Sequence, residues 1–235
     1  MRIYINPIDM IKEVERDLFE MGIRYSTETV QDKNVKNDPD YETIELMGYA
    51  YTLKNTEVED AMKLLEYMDL NKNWAVGETE ERLYRQHYHL NPGRNWKNNR
   101  KVWEPFLRDG VFSYSYAERW QHQIPYVVNE LTRHKNSRQA MITMYDTCRD
   151  LMNWGGRDRV PCSVSYQFII REEKLHVIYN QRSCDFISFF AYDVYLTIML
   201  LRKIANEIDI EPGTFIHFIG SLHAFAKDLK HRGIF

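Results

Sequence analysis

The chain has 235 residues, a formal net charge of -3 and 14% aromatic residues. That length is enough for one sizeable core, and the charge balance, with no basic tail or stripe, excludes a nucleic-acid partner from the expectations. The opening MRIYINPIDMIKEVERD is amphipathic and charged early, and runs such as YDVYLTIMLL are too short and interrupted to span a bilayer. A cytoplasmic protein with no membrane partner is therefore expected.

No repeat, low-complexity tract or Gly/Ser linker marks a boundary, so residues 1–235 read as a single domain. Residues 5–22 carry apolar side chains at helical spacing, with Gly22 as the expected stop. Residues 41–53 alternate as a strand, and 56–70 read as an amphipathic helix capped by Thr56. A second helix is expected over 77–91, where acidic residues suit a helix N-terminus. Residues 92–113 read as a loop around Pro92, Gly93 and the basic RNWKNNRKVW, either a small-anion or cofactor surface or a solvated connection. Residues 117–134 are helical, with a kink expected at Pro125. The texture then changes: 138–145, 164–183 and 213–225 are rich in β-branched and aromatic residues, with a hairpin turn at 172–174. Between them, 191–208 has helical periodicity and suits burial. Helices first, strands later and a buried helix among the strands predict an α+β fold.

Cys148, Cys162 and Cys184 are an odd, scattered set without C-x-x-C spacing. This argues against a disulfide framework and against a zinc site, so no metal is expected, and it fits a reducing compartment. A lone cysteine is usually a small buried hydrophobe, so any chemistry at Cys162, in DRVPCSVSYQFII, has to come from its neighbours. Those are NQRSCDF at 180–186, Asp193, and GSLHAF at 220–225. A thiol becomes a useful nucleophile when a nearby cation raises its thiolate fraction. Arg182 is the candidate, because a guanidinium stays charged and forks onto oxyanions, phosphate included.

VPCSVSYQF, YNQRSCDF, YDVYLTIMLL and GTFIHFIGSLHAF, in that order and at these intervals, resemble the catalytic half of the thymidylate synthase superfamily. The pattern there runs Pro-Cys, Gln-Phe, Gln-Arg-Ser-x-Asp, an Asn-bearing helix start, and a Gly-x-x-His-x-Tyr strand. Upstream, NSRQAMITMY resembles the family's Ser-Arg-Arg segment, YAERW its Tyr-Gly-x-Gln-Trp, and KVW its folate-side tryptophan. Counting back from Trp103 at the family's interval lands on the acidic pair Glu80 and Glu81, while residues 1–60 match only in outline.

The resemblance implies a three-layer fold, a mixed β-sheet flanked by helices, in an isologous homodimer. It implies a pyrimidine nucleoside monophosphate as substrate and 5,10-methylenetetrahydrofolate as co-substrate. In that scheme Cys162 adds to pyrimidine C6, and Glu81 or Glu80 handles protons and orders water. Arg182 and, from the other subunit, Arg138 hold the 5′-phosphate beside Gln181 and Ser183. His223 holds the ribose next to Phe225. Asp185 meets the folate pterin, with Trp103 and Tyr192 packing nearby.

Several departures from the pattern point to one branch. Asp193 stands where thymidylate synthases carry Asn, whose amide both donates to and accepts from uracil. An ionised carboxylate only accepts, so Asp193 fits the N4 amine and protonated N3 of cytosine and clashes with uracil O4, a mismatch of about 1–3 kcal/mol or more. Asp193 can alternatively be read as a mere helix cap. The same exchange marks phage-type deoxycytidylate hydroxymethylases, which GSLHAF and Ser163, in place of the usual His, also resemble. A phage-encoded enzyme would act in the host cytoplasm. Ser183 favours dCMP; Phe225, replacing a sugar-binding Tyr, keeps CMP open. Gln139 replaces the second Arg of the Ser-Arg-Arg segment, and Phe189 a Gly near the folate. The chain reads to KHRGIF soon after the His strand, without the long closing segment of thymidylate synthase. A site closed less completely admits the water that hydroxymethyl transfer needs. The expected activity is therefore a folate-dependent hydroxymethyl transfer to C5 of dCMP or CMP. The alternatives are a dCMP 5-methyltransferase, a dUMP-using hydroxymethylase or thymidylate synthase, and a non-enzymatic nucleotide-binding regulatory relative.

Overall fold

The computed structural model describes residues 1–30, 33–84, 91–151 and 159–231. After β1 (Arg2–Tyr4), helix α1 (Pro7–Met21) opens on Asn6, whose side chain accepts from the Ile8 amide at 2.8 Å. Pro7 occupies its first turn, and Met10, Ile11, Val14 and Leu18 form its buried stripe. Strands β2 (Ile23–Ser26), the short β3 (Thr29–Val30) and β4 (Lys33–Asn34), and the long β5 (Glu42–Leu53) follow.

The next segment differs from the sequence expectation at two points. Helix α2 (Val58–Tyr67) has no side-chain cap, because the Thr56 hydroxyl is buried and donates to the Gly213 carbonyl at 3.0 Å. Thr56 thus ties the helix entry to the sheet instead of capping it. Helix α3 (Lys72–Thr79) starts before the acidic run, at Asn71, which accepts from the Trp74 amide at 3.1 Å. The acidic residues sit at its end, where the chain widens into a π-helical turn, Glu80–Tyr84. Residues 85–90 of the expected helix lie outside the described residues. The stretch 92–113 is built from short helical turns, Asn95–Asn99, α4 (Arg100–Trp103) and Glu104–Phe106. Helix α5 (Tyr116–Arg133) contains Pro125, as the spacing predicts.

The strand-rich part follows the expected order. It comprises β6 (Met141–Thr143), the single-turn α6 (Thr147–Asp150), β7 (Ser163–Arg171), β8 (Lys174–Asp185), α7 (Phe190–Glu207), β9 (Glu211–Phe225) and α8 (Ala226–His231). Glu172 and Glu173 close the β7–β8 hairpin with φ of 51° and 58°, the positive values of a two-residue turn that matches strand twist. Seven of the described strands form one sheet in the order β1-β5-β9-β8-β7-β6, with β2 also pairing β5, and β3 and β4 pair separately. β8 and β9 run parallel, joined by α7 as the crossover, while β5–β9 and β7–β8 are antiparallel. The fold is α+β, a mixed sheet flanked by helices, with α7 buried along most of its length against it.

One irregularity positions the site. Along β8, buried residues alternate to Gln181 and then resume at Cys184; along β9 they alternate to Ile219 and resume at Leu222. The two slips are side by side, since Gln181 pairs with Ile219 and Cys184 with Leu222. β5 turns at the same level through Gly48, at φ 66°, and β7 shifts register between Ser163 and Ser165. At Gly220 a Cβ would lie 2.8 Å from the Arg182 carbonyl, so only glycine lets β9 pass β8 there.

Candidate active site

Cys162 is half-buried immediately before β7, and its carbonyl accepts from the Arg182 amide at 2.8 Å. The slip in β8 turns Arg182 to the exposed face, where Nε donates to the Pro161 carbonyl at 2.8 Å and a terminal nitrogen to the Val160 carbonyl at 3.0 Å. The guanidinium thereby braces the segment that carries the thiol. It does not make a resting thiolate: burial pushes the Cys162 pKa above its ordinary value, and the nearby positive charges of Arg182 and Arg159 only partly oppose this. Asp193 and Asp185 push it further the same way.

Asp193 lies in the first turn of α7. Its Oδ2 accepts from Gln181 Nε2 at 2.7 Å and from the Cys184 thiol at 3.7 Å. These are the two residues that the β8 slip places on the α7 side. Desolvation raises its pKa from 3.8 to about 6, against the pull of the Gln181 bond and the Arg82 charge. At pH 7 the carboxylate is mostly ionised. Arg82 was not singled out in the sequence, where 77–91 read only as a helix with an acidic start. In the fold it is buried, paired with Glu78 at 2.8 Å, and stacked over Tyr116 at 4.5 Å.

Ser163 is buried among tyrosines. Its amide donates to the Tyr116 hydroxyl at 3.3 Å, and its hydroxyl lies 2.6 Å from that of Tyr179 and 3.3 Å from that of Tyr166. Burial raises the pKa of all three phenols, so each keeps its proton as a donor beside Cys162 and Asp193. Periodicity marked Tyr166 and Tyr179 only as strand residues, and Tyr116 entered only through the resemblance of YAERW.

Of the acidic pair, Glu80 is exposed and Glu81 is 4% exposed. The π-turn carries the Glu81 carboxylate to the loop after Pro92, where Oε1 accepts from the amides of Arg94 and Asn95, the latter at 2.6 Å. Glu81, Arg82, Trp103, Tyr114, Tyr116 and Arg159 line one cleft. Arg159 was not singled out in the sequence; its guanidinium lies 4.1 Å above the Trp103 ring and 5.0 Å from that of Tyr114. Trp103 also faces Phe189 at 6.2 Å. The walls of this cleft are aromatic, with the Arg159 guanidinium among them.

The remaining candidates are dispersed around this centre. Asp185 Oδ1 accepts from the amides of Ile187 and Ser188, at 3.1 and 3.0 Å, so it shapes the turn into α7. The Tyr192 hydroxyl donates to the Asn71 carbonyl at 3.2 Å, and its ring meets Trp74 edge-on. Both contacts join α7 to α3. Ser183 is half-buried beside Ser221 of β9. His223 Nδ1 lies 3.4 Å from the Ser221 hydroxyl, and Ser221 itself donates to Glu45. Phe225 packs edge-on against His223 and Tyr41. Arg138 is exposed ahead of β6, its carbonyl accepting from Gln167, away from the Cys162 contacts. Among the described residues, no group of three or more His, Cys, Asp or Glu could hold a metal ion, and no helix is long and apolar enough to cross a membrane.

Comparison with known proteins points one way. Residues 74–232 match the model of the thymidylate synthase family. A protein named "Putative thymidylate synthase" from Methanocaldococcus jannaschii is 32% identical over 49% of this chain and 52% of its own length. One of the same name from Methanococcoides burtonii is 29% identical over 50% and 55%. The chain spans about half the length of these curated relatives. The solved structure of thermostable thymidylate synthase A from Bacillus subtilis superposes with a TM-score of 0.73 at 16% identity, covering 96% of this chain and 82% of that one, a likeness of fold.

Proposed function

Since the chain belongs to the thymidylate synthase family, we propose that it transfers a one-carbon unit to C5 of a cytidine monophosphate, dCMP ahead of CMP, with addition of water to give the 5-hydroxymethyl nucleotide. The observation that carries the cytosine reading is Asp193, an acceptor-only carboxylate at pH 7 whose Oδ2 takes the Gln181 amide, leaving Oδ1 for a base. The N4 amine and protonated N3 of cytosine supply the donors this acceptor lacks; uracil O4 does not.

Methylenetetrahydrofolate supplies the carbon at the oxidation level of formaldehyde, and the cleft lined by Glu81, Trp103 and Arg159 is where its ring system would dock, against the guanidinium rather than between the rings. Cys162 gives its proton, by way of ordered water, to the Glu81 carboxylate and adds to C6, which turns C5 into a carbon nucleophile. C5 takes the methylene carbon as tetrahydrofolate leaves and then loses its own proton. Once water has added to the exocyclic methylene, the Cys162–C6 bond breaks to free the product. Arg182 supplies the positive charge for this step, with Ser183 beside it toward the 5′-phosphate. Glu81, fixed by two loop amides, moves the proton and orders the attacking water, a task its burial suits better than that of exposed Glu80. His223 takes the sugar, and Asp185 faces the pterin through the oxygen that the 187–188 amides leave available. Arg138 serves the neighbouring subunit of a homodimer. Phe218 and Met141, each 43% exposed on strand positions turned away from the buried side chains, give the sheet an apolar outer surface suited to a second copy.

A second reading, thymidylate synthesis from dUMP, draws support from the names of the relatives and from the fraction of Asp193 that is protonated near neutral pH. Mass spectrometry of the product formed with methylenetetrahydrofolate from dCMP, CMP and dUMP separates the readings. Hydroxymethylated dCMP is expected. A methylated product, or faster turnover of dUMP, overturns the proposal, and no tritium release from C5-labelled nucleotide would mark a non-catalytic binder.

A further inference from the structure

Asp193 is held by a line of side chains that crosses the sheet beneath α7. Tyr51 of β5 pairs with His217 of β9, which pairs with β8 two residues before Gln181. Tyr51 and His217 are fully buried, and Gln181 is 4% exposed. The Tyr51 hydroxyl lies 3.0 Å from His217 Nδ1, His217 Nε2 lies 2.9 Å from Gln181 Oε1, and Gln181 Nε2 lies 2.7 Å from Asp193 Oδ2. With Asp193 ionised, one arrangement of protons satisfies all three contacts. A carboxylate accepts, so the Gln181 amide nitrogen faces it and the amide oxygen faces His217. His217 must then carry its proton on Nε2, which leaves Nδ1 bare for the Tyr51 hydroxyl to donate to. Burial pushes the His217 pKa down to about 3, so the ring is neutral and has one proton to place.

We propose that Tyr51 and His217 are positioning residues that fix the direction of the Gln181 amide and, through it, make Asp193 read the base as an acceptor. The inference rests on Asp193 as the base-reading group. Without the Tyr51 hydroxyl the imidazole is free to adopt its other tautomer, with Nε2 as an acceptor. The Gln181 amide then turns over and presents its carbonyl to Asp193, a contact that is favourable only if Asp193 holds a proton. With its one proton given to Gln181, Asp193 keeps Oδ1 only as a neutral acceptor. The negative charge that holds the protonated N3 of cytosine and repels uracil O4 is gone, and the site's preference for cytosine falls.

The test combines Tyr51→Phe, His217→Phe and His217→Gln with nitrogen NMR of the 15N-histidine-labelled full chain, and with kcat/KM for dCMP and dUMP. In the wild type, His217 should show a neutral ring protonated on Nε2 at pH 7. Tyr51→Phe, which keeps the ring shape, should lower the dCMP-to-dUMP ratio about tenfold, the worth of one buried hydrogen bond. His217→Phe should lower it at least as far. His217→Gln, which keeps an N–H donor within reach of Gln181, should restore most of it. A purely structural role would lower both substrates together and leave the ratio fixed. A wild-type ring protonated on Nδ1, or an unchanged ratio in Tyr51→Phe, overturns the relay. Wild-type preference for dUMP would instead overturn the base reading, and the NMR tautomer would still decide the relay. If either Phe variant fails to fold, the wild-type spectrum and His217→Gln carry the decision.

Discussion

Cys162, Gln181 and Asp193 are placed by the sheet and its crossover helix, whereas Glu81 and Trp103 are placed by turns. On the sheet side, backbone bonds do the placing: Gln181 lies in the strand ladder, Cys162 accepts from the Arg182 amide, Asp193 sits in a helical turn, and the reacting side chains themselves hold none of that frame. On the turn side the relation is reversed. The Glu81 carboxylate itself holds the Arg94 and Asn95 amides, Gln121 Nε2 donates to the Glu81 carbonyl, and Asn95 Nδ2 donates to the Trp74 carbonyl at 2.8 Å. A group that both builds its surroundings and reacts within them cannot be altered in one capacity alone.

That contrast is open to direct attack. Cys162→Ser should abolish turnover, by about 10⁴-fold or more, while shifting Tm by no more than roughly 2 °C, because the thiol holds nothing in place; a large Tm loss would erase the distinction. Glu81→Gln should cut kcat by about 10²–10³-fold and also lower Tm by several degrees, since an amide accepts less strongly than a carboxylate from the two loop amides. Glu80→Gln should leave kcat within about twofold. Equal effects at 80 and 81 would mean that burial does not distinguish the pair.

Asp193→Asn comes next in size. The ratio of dCMP to dUMP turnover should fall by about 5–150-fold, the range that 1–3 kcal/mol allows, and an unchanged ratio would mean that the base is read elsewhere. The same variant carries a pH signature. The folded carboxyl has its pKa raised from 3.8 to about 6, so between those values the folded chain binds more protons than the unfolded one. The contribution of Asp193 to stability therefore falls as pH rises through that window, and at pH 7 its ionised form is a net cost to the fold. Asp193→Asn should raise Tm at pH 7.5 and change it little near pH 4. Wild-type preference for dCMP should weaken as pH drops through about 6, and the variant should lose that dependence. The smallest effect belongs to the frame: Gly220→Ala forces a methyl group toward the Arg182 carbonyl and should cost about 1–2 kcal/mol by urea titration, with turnover down a few-fold.

Legibility follows the same division. The β7–β8 hairpin, α7 and β9 were readable because alternation and helical spacing are properties of short windows, and the fold keeps those windows intact. Asp193 and Arg182 stood out by their place in a motif, though the net upward pull of burial on Cys162 depends on packing that no window contains. Thr56 looked like a cap because it precedes a helix, yet its hydroxyl is claimed by Gly213, far along the chain. Arg82 was not singled out at all; Tyr116 and Trp120, brought by α5, are what stack on it, and nothing in its own window announces them. His217 gave no signal at all, being one more alternating residue on a strand. Its meaning comes from Tyr51 and Gln181, which reach it from two other strands.

The slip shared by β5, β9, β8 and β7 has one further consequence. A strand that loses one beat of its pleat shows opposite sets of residues to the core before and after the fault. Were one strand faulted alone, its partners would meet it out of phase beyond that point, with apolar side chains facing water on one side and charged ones facing helices on the other. Because Gly48, Gly220, Arg182 and the Ser163–Ser165 shift lie abreast, the four strands change phase at one level: β5, β9 and β8 keep their mutual register across it, and β7 absorbs the step with one extra residue. The sheet is creased like folded paper along a line that passes under Cys162. Removing the crease from any one strand would require removing it from the other three in the same step, so the line beneath the thiol is locked in by geometry, with Gly220 the point on it that accepts no side chain.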